Sequence, residues 1–370
     1  MPLVSVQILR AVAALLVAIG HAQAFVFLPM QERGADAPYW RALPWGAGVD
    51  LFFVISGFIM VHASERLFSA PGGARTFVWR RLARILPLYY AATLLYLAKS
   101  LITRRPISDL ASVAASFLFI PCDSHGDGAL HPIYELGWTL NYEMFFYALF
   151  ALFLFLPRAR AVGAVALALL GLVAFGFAAT PESAPLRFWS RPITLEFAFG
   201  MGLALLARRG VSLRERWRWA LVALGGAGLF CDFPDAAWGG PPSISPNDLI
   251  RVIGWGVPAA LILAGCVLRR DRQRGAIALP WRLGRILGDA SYALYLCHPI
   301  VMSAFAGLWF ALGLDRRFPA TAAVLACMAL SIAAALAVYR WFEKPLTGWL
   351  QQQGLRLAAD KPPRPRVASV

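Results

Sequence analysis

Ten stretches of this chain are apolar for long enough to cross a lipid bilayer, and no soluble fold hides that much continuous hydrocarbon. They fall near 4–27, 46–63, 86–103, 138–156, 161–179, 190–207, 217–232, 249–268, 290–312 and 320–342. About twenty residues of α-helix span the hydrocarbon core. A helix also pairs its own backbone N–H and C=O groups where no water reaches them. The sequence therefore predicts an all-α fold, a polytopic membrane helix bundle of about ten transmembrane helices, forming one integral-membrane domain over 1–346. From 347 to 370, Lys361, Arg364, Arg366 and the prolines around them predict a basic, disordered cytoplasmic tail. Ala22, Gln23 and Ala24 resemble the end of a signal peptide, but no basic segment precedes the first run and Arg10 and His21 lie inside it, so cleavage is not expected.

Charge in the loops sets the orientation. One set of connections holds Arg66, Arg75, Arg80, Arg81 and Arg84, then Arg158 and Arg160, then Arg208, Arg209, Arg214, Arg216 and Arg218, then Arg269, Arg270, Arg272, Arg274, Arg282 and Arg285. The alternate set carries Asp109, Asp123, Asp127, Asp232, Asp235 and Asp248. Arg-rich loops stay on the cytoplasmic side, so both termini are expected there. The net charge of +15 is accounted for by these loops beside anionic lipid, which argues against a nucleic-acid partner. Cys122, Cys231, Cys266, Cys297 and Cys327 show no CxxC spacing and read as small apolar fillers. In the loop CDSHGDGALH, the spacing of Asp123, His125, Asp127 and His131 matches no metal motif, so no metal is predicted.

The chemistry-bearing residues are the polar ones inside the runs. Arg10 and His21 interrupt the first. Eleven residues at 100° each return to within about 20°, so both share one helix face, roughly 16 Å apart along the axis. A charged side chain at mid-membrane costs on the order of 2.5 kcal/mol or more and faces a bundle interior, a cavity or a partner. In WTLNYEMFFY, Glu143 lies with Asn141 between Trp138 and Tyr147. That carboxylate serves either as an acceptor for another helix or as the lining of a substrate cavity. Asp50 and Glu196 read as structural. His298, after Tyr292 and Tyr295 and before Pro299, fits a packed helix-breaking site as well as a ligand contact. Arg81 and Arg84 share one side of the third helix, where guanidinium forks suit phosphate and equally suit membrane anchoring.

Taken together and in order, the Arg10/His21 spacing, GVDLFFVISGF, RRLARILPLYY, WTLNYEMFFY, GDASYALYLCHP and FEKPL resemble the integral-membrane acyltransferase-3 family over nearly the whole chain. WTLNYEMFFY resembles the subgroup that O-acetylates bacterial exopolysaccharides; many members carry a second acid where this chain has Met144. The resemblance implies a multi-pass protein of the bacterial inner membrane. It moves an acyl group, acetyl above all, from cytoplasmic acyl-CoA to a hydroxyl of a polysaccharide or lipid-linked oligosaccharide. On this reading Arg10, Arg81 and Arg84 hold the coenzyme, with Asn141, Tyr147 and His298 as further contacts. His21 is the general base or acyl relay, and Glu143 orients it or the sugar. Two other classes fit the same residues: a transporter or flippase of a lipid-linked sugar, and a non-catalytic component of a polysaccharide-assembly complex.

Overall fold

The computed structural model describes residues 4–34, 40, 44–104, 109–126, 128–230, 246–269 and 279–359. Cys231, Asp127, Asp232, Asp235, Arg270, Arg272, Arg274, Lys361, Arg364 and Arg366 lie outside them. The described residues form helices and turns, with no strand among them. In order the α-helices are α1 (Val4–Glu32), α2 (Ala47–Ala63), α3 (Gly73–Ile102), α4 (Leu110–Phe117), α5 (Trp138–Phe153), α6 (Arg158–Ala179), α7 (Ala184–Trp189), α8 (Leu195–Arg208), α9 (Glu215–Leu229), α10 (Pro246–Arg251), α11 (Val257–Val267), α12 (Leu279–Asp289), α13 (Ser291–Ala311), α14 (Ala320–Val338) and α15 (Lys344–Ala359). The helices that carry the apolar runs make this a multi-pass membrane protein.

Each of the ten apolar runs contains a helix, yet among the described residues only six helices are long and apolar enough to span by themselves. They are Val4–Glu32, Gly73–Ile102, Arg158–Ala179, Leu249–Val267, Ser291–Ala311 and Ala320–Gly354. The others are shorter for a local reason. The run at 138 ends early in a turn after Phe153, and the run at 190 begins on a 3₁₀ turn, Pro192–Thr194, leaving α5 with 16 residues and α8 with 14. Two spans contain a π-helical segment, Val252–Gly256 between α10 and α11 and Tyr339–Glu343 between α14 and α15. Such insertions turn a side chain that regular spacing would point elsewhere, and they recur at functional sites.

Of the tail expected over 347–370, residues 347–359 are helical, and the rest lies outside the described residues. α15 runs to Ala359 and docks on α3, where the Trp79 indole donates to the Leu350 carbonyl at 2.9 Å. Its polar, glutamine-rich sequence is held by a tertiary contact that composition alone does not register.

Packing is inverted relative to a water-soluble protein: Leu94, Leu101, Leu152, Leu167, Leu224 and Leu325 point outward, while Asp50, Glu196, Asn141 and His298 are fully buried. α2 and α8 pack backbone against backbone. A Cβ on Gly57 would collide with the Phe197 carbonyl, and one on Gly200 with the Val54 carbonyl, so glycine at both sites lets two backbones touch. Beside this contact Arg251 forks onto Asp50 from the start of the π-segment, Nε to Oδ1 at 3.0 Å and Nη2 to Oδ2 at 2.9 Å, and the Glu196 carboxyl lies against Asp50. At the Arg-rich end, Glu65 pairs with both Arg158 and Arg208, drawing α2, α6 and α8 together. In the loop after α4, Asp123 accepts from the Gly126 and Gly128 N–H groups and folds that loop.

Candidate active site

Two features sit at different depths along α1. The deeper in sequence is a cavity of about 90 Å³ among α1, α2, α3, α5 and α13. Arg10 enters it from α1, Arg81 and Arg84 from α3, Glu143 and Tyr147 from α5, and Ser291, Tyr292 and Tyr295 from α13. Helical spacing explains the sets: 81 with 84, and 143 with 147, each lie one turn apart on one face. Arg81 also lies over the Phe77 ring, its guanidinium carbon 5.6 Å from the centroid. Ser56 of α2 donates to Glu143 Oε1 at 3.0 Å and also bonds the Tyr147 phenol, fixing both α5 side chains to α2. Three guanidiniums against one lining carboxylate make the cavity electropositive, with apolar walls from Phe52, Phe53, Ile55 and Ile85. Such a site suits a ligand with several anionic groups.

The second feature is a histidine pair. His298 Nε2 and His21 Nδ1 are 3.0 Å apart, and His298 Nδ1 is 2.9 Å from the Leu294 carbonyl. The network fixes the tautomers. Facing a carbonyl, Nδ1 of His298 must carry the proton, so its Nε2 is the acceptor and His21 Nδ1 the donor. His21 Nε2 is then left unprotonated, the state a general base needs, and the ring also lies within hydrogen-bond reach of the Val17 carbonyl. His298 is 0% exposed, whereas His21 is half-buried. Pro299 lacks the N–H that would engage the Tyr295 carbonyl, and the His298 ring lies within reach of that carbonyl as well.

Of the eight residues singled out in the sequence, the structure gathers Arg10, Arg81, Arg84, Glu143 and Tyr147 around the cavity and joins His21 to His298. It places His298 behind His21, outside the cavity wall. Asn141 is buried in the first turn of α5 and is not part of the cavity wall. Tyr295 is the wall the two features share: its phenol lies 2.9 Å from Thr139 Oγ1 and its ring meets His298 edge-on. Sequence reading passed over Ser56, Tyr295, Ser291, Glu343 and Glu135. Glu135, exposed on the turn before α5, lies within electrostatic range of His21. Ser56 lies within GVDLFFVISGF, Ser291 and Tyr295 within GDASYALYLCHP and Glu343 within FEKPL, whereas none of these motifs contains Glu135. Beyond the pair, α1 and α13 run parallel and bound an open groove of about 700 Å³, lined by Ala24, Phe25, Leu28, Ser303, Gly307 and Phe310 among others. At its far end Arg33 pairs with Asp315 at 3.2 Å.

A family model described as an acyltransferase domain matches residues 3–340, which takes in both features. The chain belongs to the acyltransferase-3 family. Within this acyltransferase-3 protein the matched region contains α1 to α14 entire, so the arginine cavity and the histidine pair are parts of the family domain. The chain is also 35% identical over 303 residues to the exopolysaccharide production protein ExoZ of Rhizobium meliloti (strain 1021), covering 81% of this chain and 89% of that one. That likeness puts this acyltransferase-3 chain in the exopolysaccharide subgroup that WTLNYEMFFY suggested. No solved structure matches the chain.

Proposed function

We propose that this protein is an O-acyltransferase of the bacterial inner membrane, with about ten spans and both termini in the cytoplasm. It moves an acetyl group from cytoplasmic acyl-CoA to a sugar hydroxyl of an exopolysaccharide or its lipid-linked precursor. The observation that carries the reading is α1 itself, which ties an electropositive cavity at Arg10 to an imidazole at His21 whose tautomer is set by His298. Arg10, Arg81 and Arg84 hold the coenzyme's phosphates at the Arg-rich end, and its thioester arm reaches along α1. His21 Nε2 takes the proton from the attacking hydroxyl as the oxygen bonds to the thioester carbonyl carbon. The carbon–sulfur bond breaks and the thiolate leaves with a proton from the imidazolium. Glu143, tied to Ser56, faces the same cavity and fixes its polar wall. The groove between α1 and α13 lets a sugar-bearing acceptor approach from the other end.

The test is donor binding by calorimetry to the purified protein. Arg81→Ala and Arg84→Ala should each weaken acyl-CoA affinity by the worth of a charge-assisted contact, about 1.5–3 kcal/mol, with the fold intact. Unchanged affinity would return both arginines to membrane anchoring and remove the donor from this cavity.

A further inference from the structure

The N-terminus of α13 opens onto the arginine cavity and lacks a cap of its own. Ala290 at the N-cap offers no side chain, and the first residues of the helix, Ser291 and Tyr292, line the cavity beside Arg10 and Arg84. A helix of 21 residues presents unpaired N–H groups and a partial positive charge at this end. Ser291 is 0% exposed, its hydroxyl has no partner, and it forms part of the cavity wall. The cap comes from another helix: Glu343, at the end of the Tyr339–Glu343 π-segment, accepts from the Ala293 N–H. Its second oxygen, Oε2, is buried without a hydrogen bond, in the field of Arg84 and Arg10 and across from Asp289. A helix N-terminus, an unused hydroxyl and two guanidiniums thus surround a carboxylate oxygen that satisfies none of them by direct contact.

We infer that this end of α13 is a phosphate subsite of the cavity, with Ser291 as a hydroxyl ligand and Glu343 as the resident anion with which the phosphate competes for the field of Arg10 and Arg84. The inference rests on the donor reading above and refines it. One phosphate of the nucleotide part accepts from the Ser291 hydroxyl and the first N–H groups of α13. Glu343 keeps its bond to Ala293 and opposes that phosphate by charge, which holds donor affinity below what the arginines alone would give. The π-segment has a use on this account, since it turns Glu343 inward at the depth where α13 begins.

The experiment is equilibrium binding of coenzyme A, inorganic pyrophosphate and pantetheine to the full chain in detergent, with melting temperatures as a check on folding. Glu343→Gln keeps an acceptor for the Ala293 N–H and removes the charge. It should tighten coenzyme A and pyrophosphate several-fold and leave pantetheine, which has no phosphate, unchanged. Ser291→Ala should weaken the two phosphate probes roughly tenfold, again sparing pantetheine. Pyrophosphate affinity unchanged in both variants, or weakened in Glu343→Gln at an unchanged melting temperature, overturns the subsite while the donor reading stands. A wild-type protein that binds pyrophosphate but not coenzyme A keeps the subsite and removes acyl-CoA as the donor instead.

Discussion

At His21 the reactivity of one ring is set by the ring behind it. His298, bonded through Nδ1 to the Leu294 carbonyl, has only an acceptor left to offer, and that choice leaves His21 Nε2 unprotonated. General-base assistance is worth about 10² to 10⁴ in rate, so His21→Ala should lose acyl transfer by that factor with donor binding nearly unchanged. Arg10→Ala should fail differently, by raising the acyl-CoA concentration required. Titration of both variants in a transfer assay separates the two, and substantial turnover by His21→Ala would refute the base assignment. On the proposed reading His298, fully buried and bonded to His21, acts through that ring. His298→Gln still presents a carbonyl to His21 Nδ1 and should retain more kcat than His298→Leu, with the KM for donor equal in the two. Equal kcat values would reduce His298 to packing.

At the scale of elements, the site depends on how α2 is clamped. One face of α2 supplies Phe52, Ser56 and Ile59 to the cavity, and another carries Asp50 into the fork of Arg251. Breaking a buried pair from one side strands a charge and costs about 3–5 kcal/mol, whereas removing both partners is far milder. Arg251→Leu should therefore lower the melting temperature in detergent markedly, and Asp50→Leu with Arg251→Leu should recover most of the loss. A double variant as unstable as the single would mean that Arg251 contributes by packing, for instance over Trp255, where its guanidinium carbon lies 5.1 Å from the ring centroid. The nearby carboxyl of Glu196 and the close approach of α2 to α8 at Gly57 and Gly200 belong to the same clamp.

For the whole molecule, the claim most open to a direct check is orientation. Reporter fusions after Pro44 and Pro121 should read outside and one after Gly72 inside, because the Arg-rich connections flank the latter. The reverse pattern would put Arg10, Arg81 and Arg84 on the outer face, where no cytoplasmic donor could reach them. The parallel course of α1 and α13, with His21 beside His298 and Arg33 beside Asp315, fits an odd number of crossings from α2 to the end of the span before α13, as the apolar runs between them provide.

By itself the sequence determined the membrane class, the all-helical fold, the family and the shared face of Arg10 and His21, because these follow from hydropathy and a fixed 100° per residue along one helix. It also marked Arg81, Arg84, Glu143 and Tyr147, since a polar side chain inside an apolar run must find a partner or a cavity. Only the tertiary structure decided which of them meet. That His298 supports His21, that Ser56 holds Glu143, and that Glu343 caps α13 across 50 residues of chain are contacts between helices distant in sequence, which no local period encodes. The same holds for α15, whose polar sequence is ordered by Trp79 of α3. Helix formation is local and readable; the choice of neighbour is made by shape and burial once the bundle has closed.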